Sequence, residues 1–138
     1  MAYENTKKPE YLATAKKVAN YFLANVAQTG DIPVVDFRAP EKNGGTDTSA
    51  AAIAASGMLE IARFCEGSEA KLYREGALKI LQALSADFAD YEPDHDGILS
   101  GATTAYHDEN GWNVNLNYGD YYYIEALLRL IDQDVKVW

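Results

Sequence analysis

The ten residues Ala50-Ala51-Ala52-Ile53-Ala54-Ala55-Ser56-Gly57-Met58-Leu59 constrain this chain more than any other stretch. They are small and apolar almost all round, so a helix built from them has no face suited to water. The run is too short, and too interrupted by Ser56 and Gly57, to cross a membrane. Such a helix is buried on most sides, with neighbours packed closely against its small side chains. Asp47 and Thr48 ahead of it are N-cap residue types and Gly67 stands just past its end, so the pattern predicts a helix over Asp47–Cys65.

Three further helices follow from hydrophobic period. In Pro9–Ala27, Pro9 suits a first helical turn, and Leu12, Ala15, Ala19, Phe22, Leu23 and Val26 fall on one stripe. In Ser68–Phe88, Ser68 is an N-cap candidate, Leu72, Leu78, Leu81 and Leu84 make the stripe, and Lys71, Arg74, Glu75, Lys79 and Gln82 lie off it. In Gly119–Asp132, Asp120 heads a segment with little polar surface, which predicts a second mostly buried helix. Ala2-Tyr3-Glu4-Asn5 reads like the end of a helix already under way.

The order is a wet helix, a long loop and a buried helix, twice over. The loops, Gly30–Thr46 and Ala89–Tyr118, are long for a compact domain, and loops of that length are usually functional or carry short strands. Alternating wet and buried helices is the pattern of an α/α toroid, an inner ring wrapped by an outer one, with a ligand site at the rim where the loops enter the inner helices. A plain four-helix bundle explains the periodicity equally well, without requiring the two long loops.

With 138 residues, 48% apolar and 24% charged, residues 1–138 are expected to form a single all-α domain with a real core. A net charge of −9, with no clustered positive charge, excludes a nucleic-acid surface. Cys65 is the single cysteine, which excludes an internal disulfide and a multi-cysteine metal site. His95 and His107 are too few for zinc, and Asp94-His95-Asp96-Gly97 lacks the closing glutamate of a calcium loop and is expected to form a turn. No metal or cofactor is expected. The N-terminus has no signal-peptide pattern, which gives a cytoplasmic expectation with no membrane partner.

Two long motifs carry a family resemblance. Asp47-Thr48-Ser49-Ala50-Ala51-Ala52-Ile53-Ala54-Ala55-Ser56-Gly57-Met58-Leu59-Glu60 resembles the Asp-Ser-Ser-Ala-Ala-Ala-Ile-Ala-Ala-Ser-Gly-Leu-Leu-Glu segment of the unsaturated glucuronyl hydrolases. Tyr118-Gly119-Asp120-Tyr121-Tyr122-Tyr123-Ile124-Glu125-Ala126-Leu127-Leu128-Arg129 resembles their closing helix, and Pro9–Lys17 one of their outer helices. The likeness runs from Ala2 to Leu130 and implies the C-terminal third of such an enzyme, an arc of an (α/α)6 barrel. It implies removal of an unsaturated uronic acid from lyase-generated oligosaccharides by hydration of a vinyl ether. An aspartic acid protonates the C4–C5 double bond, water adds at C5, and the hemiketal collapses, which is general acid/base chemistry.

The same resemblance puts the catalytic aspartates outside this chain, so no catalytic residue is assigned and the isolated chain is expected to lack activity. The alternative is a non-catalytic helical module that binds carbohydrate or assembles on the same scaffold. Inner-helix flanks near Ile53, Met58, Tyr122 and Leu127 are expected to lack partners, which predicts self-association or repacking into a four-helix unit.

Candidate site residues cluster in the loops and at the buried helix starts. Asp47 and Asp120 are either caps or rim carboxylates. Ser100, Thr103, Tyr106, His107, Trp112 and Tyr118 combine aromatic faces with hydroxyls, a combination suited to a sugar. Where the family often has His-Gly-x-Tyr, this chain has Ser100-Gly101-Ala102-Thr103. Arg38, in the first long loop, is the cation expected to face a uronate, whereas Lys7, Lys8, Lys16 and Lys17 form a solvated face.

Overall fold

The computed structural model describes residues 2–38 and 45–133. Its helices are α1 (Ala2–Thr6), α2 (Pro9–Val26), α3 (Thr48–Ala62), α4 (Gly67–Asp87) and α5 (Asn117–Leu130), with a 3-10 turn at Glu109–Gly111. Among the described residues, extended pairing is limited to isolated bridges: Val34 with Thr46, Ala89 with Leu99, and Ala102 with Val114. No described helix is long and apolar enough to cross a membrane.

α3 is the centre. It packs broadly against α4 and α5 and more lightly against α2, while α1 touches α2. The alanine-rich run explains this. Ala51, Ala52 and Ala55 are fully buried, and their small side chains let neighbouring helices approach from several directions. Asp47 Oδ1 caps α3, accepting from the Ser49 and Ala50 N–H groups at 3.1 and 3.3 Å and from the Ser49 hydroxyl at 2.6 Å. α2 starts with Pro9 in its first turn and turns the expected stripe inward, with Ala19 and Val26 buried and Leu12, Ala15, Phe22 and Leu23 against the core.

Several expectations are corrected. Gly67 does not end α3: that helix stops at Ala62, and Gly67 opens α4 at φ 56 behind the N-cap position Glu66. The carbonyl of Glu66 takes the first α4 bond, from the Ala70 N–H at 3.4 Å, so Ser68 lies inside the helix instead of capping it. The buried stripe of α4 is Tyr73, Ala77, Ile80, Leu81 and Leu84, whereas Leu72 and Leu78 are exposed. Leu72 and Leu78 each stand one residue from a buried position, Tyr73 and Ala77, which turns them about 100° off that stripe. Of the flank residues, Met58 is buried, Tyr122 and Leu127 are half-buried, and Ile53 is exposed. Ile124, not anticipated, is exposed beside them.

Candidate functional site

Both long loops fold onto the N-terminal ends of α3 and α5. Asp47 caps α3 there, and Gly119 lets α5 start close by: a Cβ at Gly119 would stand 3.2 Å from Ser49 Cβ. Residues 39–44 of the first loop lie outside the described residues. Val35 N–H donates to the Gly45 carbonyl at 2.9 Å and Asp47 N–H to the Pro33 carbonyl at 3.0 Å, so the loop closes on itself before α3 begins.

The second loop is two successive hairpins. One closes on the Ala89–Leu99 bridge and carries Asp94–Gly97 at its turn, where a turn was expected. Within it His95 Nδ1 stands 2.5 Å from Asp90 Oδ2, and the Glu92 N–H together with His95 holds the Asp90 carboxyl below its ordinary range. The other hairpin closes on the Ala102–Val114 pair, with reciprocal N–H to carbonyl bonds of 3.1 and 3.0 Å. Tyr106 and His107 sit near its tip, their rings edge to face with centroids 4.8 Å apart.

The two loops are stitched together through hydroxyls and backbone. The Thr46 hydroxyl and Thr48 N–H donate to the Gly101 carbonyl at 3.0 and 3.3 Å. The Thr48 hydroxyl donates to the Ser100 carbonyl at 2.7 Å, and the Thr103 hydroxyl returns to the Thr46 carbonyl at 2.8 Å. The Ser100 hydroxyl donates to the Phe88 carbonyl at 3.2 Å. Asp120, in the first turn of α5, accepts the Leu99 N–H at 2.8 Å, so its carboxylate holds a loop instead of capping its own helix.

The structure therefore gathers Asp47, Ser100, Thr103 and Asp120 at one rim, but their polar groups hold backbone. The Trp112 ring lies against Gly45 next to Thr103, with Nε1 donating to the Ala105 carbonyl at 3.1 Å. Tyr118 and His107 are exposed, while Tyr106 is half-buried. Arg38 is exposed in a turn closed by its own N–H on Asp36 Oδ1 at 2.8 Å. Cys65 lies past the end of α3, half-buried, and burial pushes its thiol up.

Sequence reasoning missed a polar network along the α3–α5 contact. Glu125 is 6% exposed and takes the Ser56 hydroxyl, with the Tyr121 hydroxyl and Arg129 Nη2 at 3.5 and 3.4 Å from its other oxygen. Arg129 also binds Glu60, which holds Arg63 at 3.1 Å. The available signal was the Glu125–Arg129 pair four residues apart inside an otherwise apolar helix. Two cavities, of about 640 and 720 Å³, lie along these helices and away from the loop rim.

No protein-family model matches the chain. It is 38% identical over 128 residues to the unsaturated glucuronyl hydrolase of Bacillus sp. (strain GL1), covering 88% of this chain and 33% of that protein. It is 30% identical over 144 residues to the unsaturated chondroitin disaccharide hydrolase of Streptococcus pyogenes serotype M1, covering 100% of this chain and 35% of that protein. The crystal structure of the Bacillus sp. GL1 enzyme superposes with a TM-score of 0.81 at 34% identity, over 93% of this chain and 35% of that one. The chain thus spans about a third of the length of the curated relatives it matches, 33% and 35% in these two cases. It shares their helical toroid fold over that third.

Proposed function

We propose, for a chain whose curated relatives and structural neighbours are unsaturated glucuronyl hydrolases, that it forms an arc of such a toroid and contributes one wall of a carbohydrate cleft. In the complete assembly the reaction is hydration of the vinyl ether of an unsaturated uronic acid at the end of a lyase-generated oligosaccharide. The observation that carries this reading is the stitching of both long loops onto the N-terminal ends of α3 and α5, through Thr48, Gly101 and Asp120. It turns the exposed ring of Tyr118 and the aromatic hairpin of Tyr106, His107 and Trp112 into features of one fixed rim, the kind of surface on which a sugar ring stacks. Arg38 supplies the cation for the uronate.

The chain by itself binds and does not turn over. Proton transfer in this chemistry needs a carboxyl group free to reach the double bond. Asp47 Oδ1 is held by two backbone N–H groups and the Ser49 hydroxyl, and Asp120 Oδ1 by the Leu99 N–H, so one oxygen of each rim acid is already committed to holding the chain. That observation favours the second reading, a non-catalytic carbohydrate-binding role, for the chain in isolation. The exposed flanks at Ile53 and Ile124 support burial against further helices, from a second copy or another polypeptide. The test is to add unsaturated chondroitin disaccharide to the purified chain and follow both tryptophan fluorescence and the ultraviolet absorbance of the C4–C5 double bond. Saturable quenching that Trp112→Phe reduces, with the absorbance unchanged, is the expected result. Loss of the absorbance overturns the non-catalytic reading, and absence of any saturable response overturns the carbohydrate rim.

A further inference from the structure

We propose that the loop rim admits ligands with one anionic group, the carboxylate of the terminal uronic acid, and rejects oligosaccharides that carry a sulfate ester beside it. The inference rests on the carbohydrate rim proposed above and narrows its ligands to unsulfated ones.

The charge of the chain is concentrated at this rim. Gly30–Thr46 and Ala89–Tyr118 together hold nine carboxylates against two basic residues, Arg38 and Lys42, which is −7 of the chain's −9. The rest of the molecule is close to balanced, at −2. Among the described residues Arg38 is the single lysine or arginine of either loop. It stands two residues from Asp36, whose carboxylate accepts the Arg38 N–H at 2.8 Å. The other positive features of the rim already face carboxylates. Asp47 Oδ1 accepts N–H groups at the start of α3, at 3.1 and 3.3 Å. His95 Nδ1 stands 2.5 Å from Asp90 Oδ2.

The remaining carboxylates stand close to the aromatic rings. Asn115 Nδ2 donates to the Asp96 carbonyl at 2.7 Å, and Asp120 Oδ1 accepts the Leu99 N–H at 2.8 Å. These bonds hold the turn of the first hairpin against the start of α5, the helical turn that carries Tyr118. Glu92, Asp94 and Asp96 are exposed on that hairpin, and their carboxylates have no hydrogen-bond or ion-pair partner among the described residues. On the second hairpin the exposed Asp108 follows His107 at the tip. A sugar stacked on Tyr118, or on the hairpin of Tyr106 and Trp112, therefore has exposed carboxylates on the turn beside it.

A sulfate ester is fully ionised at neutral pH and brings a second negative charge. Like charges set side by side weaken a complex, and exposed charges act over about 8 Å at physiological salt. Arg38 balances one uronate, and a sulfate on the adjoining sugar finds no further cation among the described loop residues.

The experiment titrates the full chain by isothermal calorimetry with unsaturated chondroitin disaccharide and with its 6-O-sulfated form. At about 0.05 M salt the unsulfated disaccharide is expected to saturate and the sulfated one to bind at least about ten-fold more weakly. At about 0.5 M salt, where the screening length falls to about 4 Å, the gap is expected to narrow to about three-fold or less. Glu92→Gln, Asp94→Asn and Asp96→Asn combined are expected to keep the circular dichroism melt and the affinity for the unsulfated disaccharide, and to raise affinity for the sulfated one at least about three-fold. Equal or tighter binding of the sulfated disaccharide overturns the proposal and leaves the carbohydrate rim standing. A gap that survives high salt also overturns it, because the exclusion is then one of shape, and this arm decides should the triple variant fail to fold. A folded triple variant with the wild-type gap does the same. Binding of neither disaccharide removes the carbohydrate rim itself, and this proposal with it.

Discussion

The Thr48 hydroxyl donates to the Ser100 carbonyl at 2.7 Å, joining positions 52 residues apart in the chain. Thr48 is completely buried, so its hydroxyl is cut off from water, while Ser100 is half-buried. Thr48→Val keeps the shape and removes the donor, which leaves the Ser100 carbonyl without this partner. The expected cost is about 1–3 kcal/mol, read as a lower urea midpoint with an unchanged slope. Thr48→Ser keeps the hydroxyl and is expected to recover most of the loss.

The carbonyl of Gly101 receives both Thr46 and Thr48, and the residue holds φ 77. A Cβ there would stand 2.7 Å from the Phe88 ring and 3.2 Å from Thr48 Cγ2. Gly30 provides a comparison at φ 71, with no heavy atom within 4 Å of its would-be Cβ. Gly30→Ala therefore carries only left-handed strain, about 1–2 kcal/mol. Gly101→Ala carries that strain and a displaced Phe88, so its loss in chemical denaturation is expected to exceed that of Gly30→Ala. The difference between the two measures the packing cost alone.

These contacts show which features the sequence could reveal. The α3 helix was readable because local signals agree: Asp47 caps it, alanine fills it, and most of its residues are buried, Ile53 being an exposed exception. The start of α4 was not, because Ser68 satisfies the composition rule for a cap while the geometry is set by Gly67, whose positive φ admits the turn. The rim was half readable. Aromatic and hydroxyl residues in the second loop suggested a sugar surface, but Ser100 and Thr103 spend their hydroxyls on backbone carbonyls of Phe88 and Thr46. Partners that distant in sequence leave no periodic trace. The helix-cap reading of Asp120 failed for the same reason, since its acceptor role is toward Leu99, 21 residues earlier.

Asp120 is half-buried and holds the Leu99 N–H at the point where the first hairpin of the loop returns to α5. Removing a carboxylate that accepts such a bond costs about 1.5–3 kcal/mol. Asp120→Ala is expected to show that loss, together with faster amide exchange at Leu99. Asp120→Asn retains an acceptor oxygen and is expected to lose less than half as much, with Leu99 exchange close to wild type. Equal losses in the two variants would mean that charge at the start of α5, not the bond to Leu99, is what matters.

Tyr123 is 1% exposed, and its hydroxyl contacts Ser85 Oγ at 2.7 Å and the Tyr91 hydroxyl at 2.8 Å. The single hydroxyl hydrogen of Ser85 goes to the Leu81 carbonyl, 2.7 Å away, so Tyr123 donates to Ser85 and accepts from Tyr91. Burial is the main reason its phenol is pushed from 10.0 up to about 12. A folded-state value above the unfolded one favours the neutral form in the folded protein. The corresponding stability is complete below pH of about 10, where unfolded tyrosine is still protonated, and is lost as pH rises to about 12. Tyr123→Phe removes both the hydrogen bonds and this titration. At neutral pH it is expected to be less stable by about 0.5–1.5 kcal/mol. Above pH of about 10 the gap between the urea midpoints of wild type and Tyr123→Phe should narrow, because only the wild type loses the Tyr123 contribution. Tyr73 and Tyr121, also raised by burial, are present in both proteins, so their effects cancel in the comparison. A gap that stays constant through this range would show that Tyr123 ionises alike in the folded and unfolded chains.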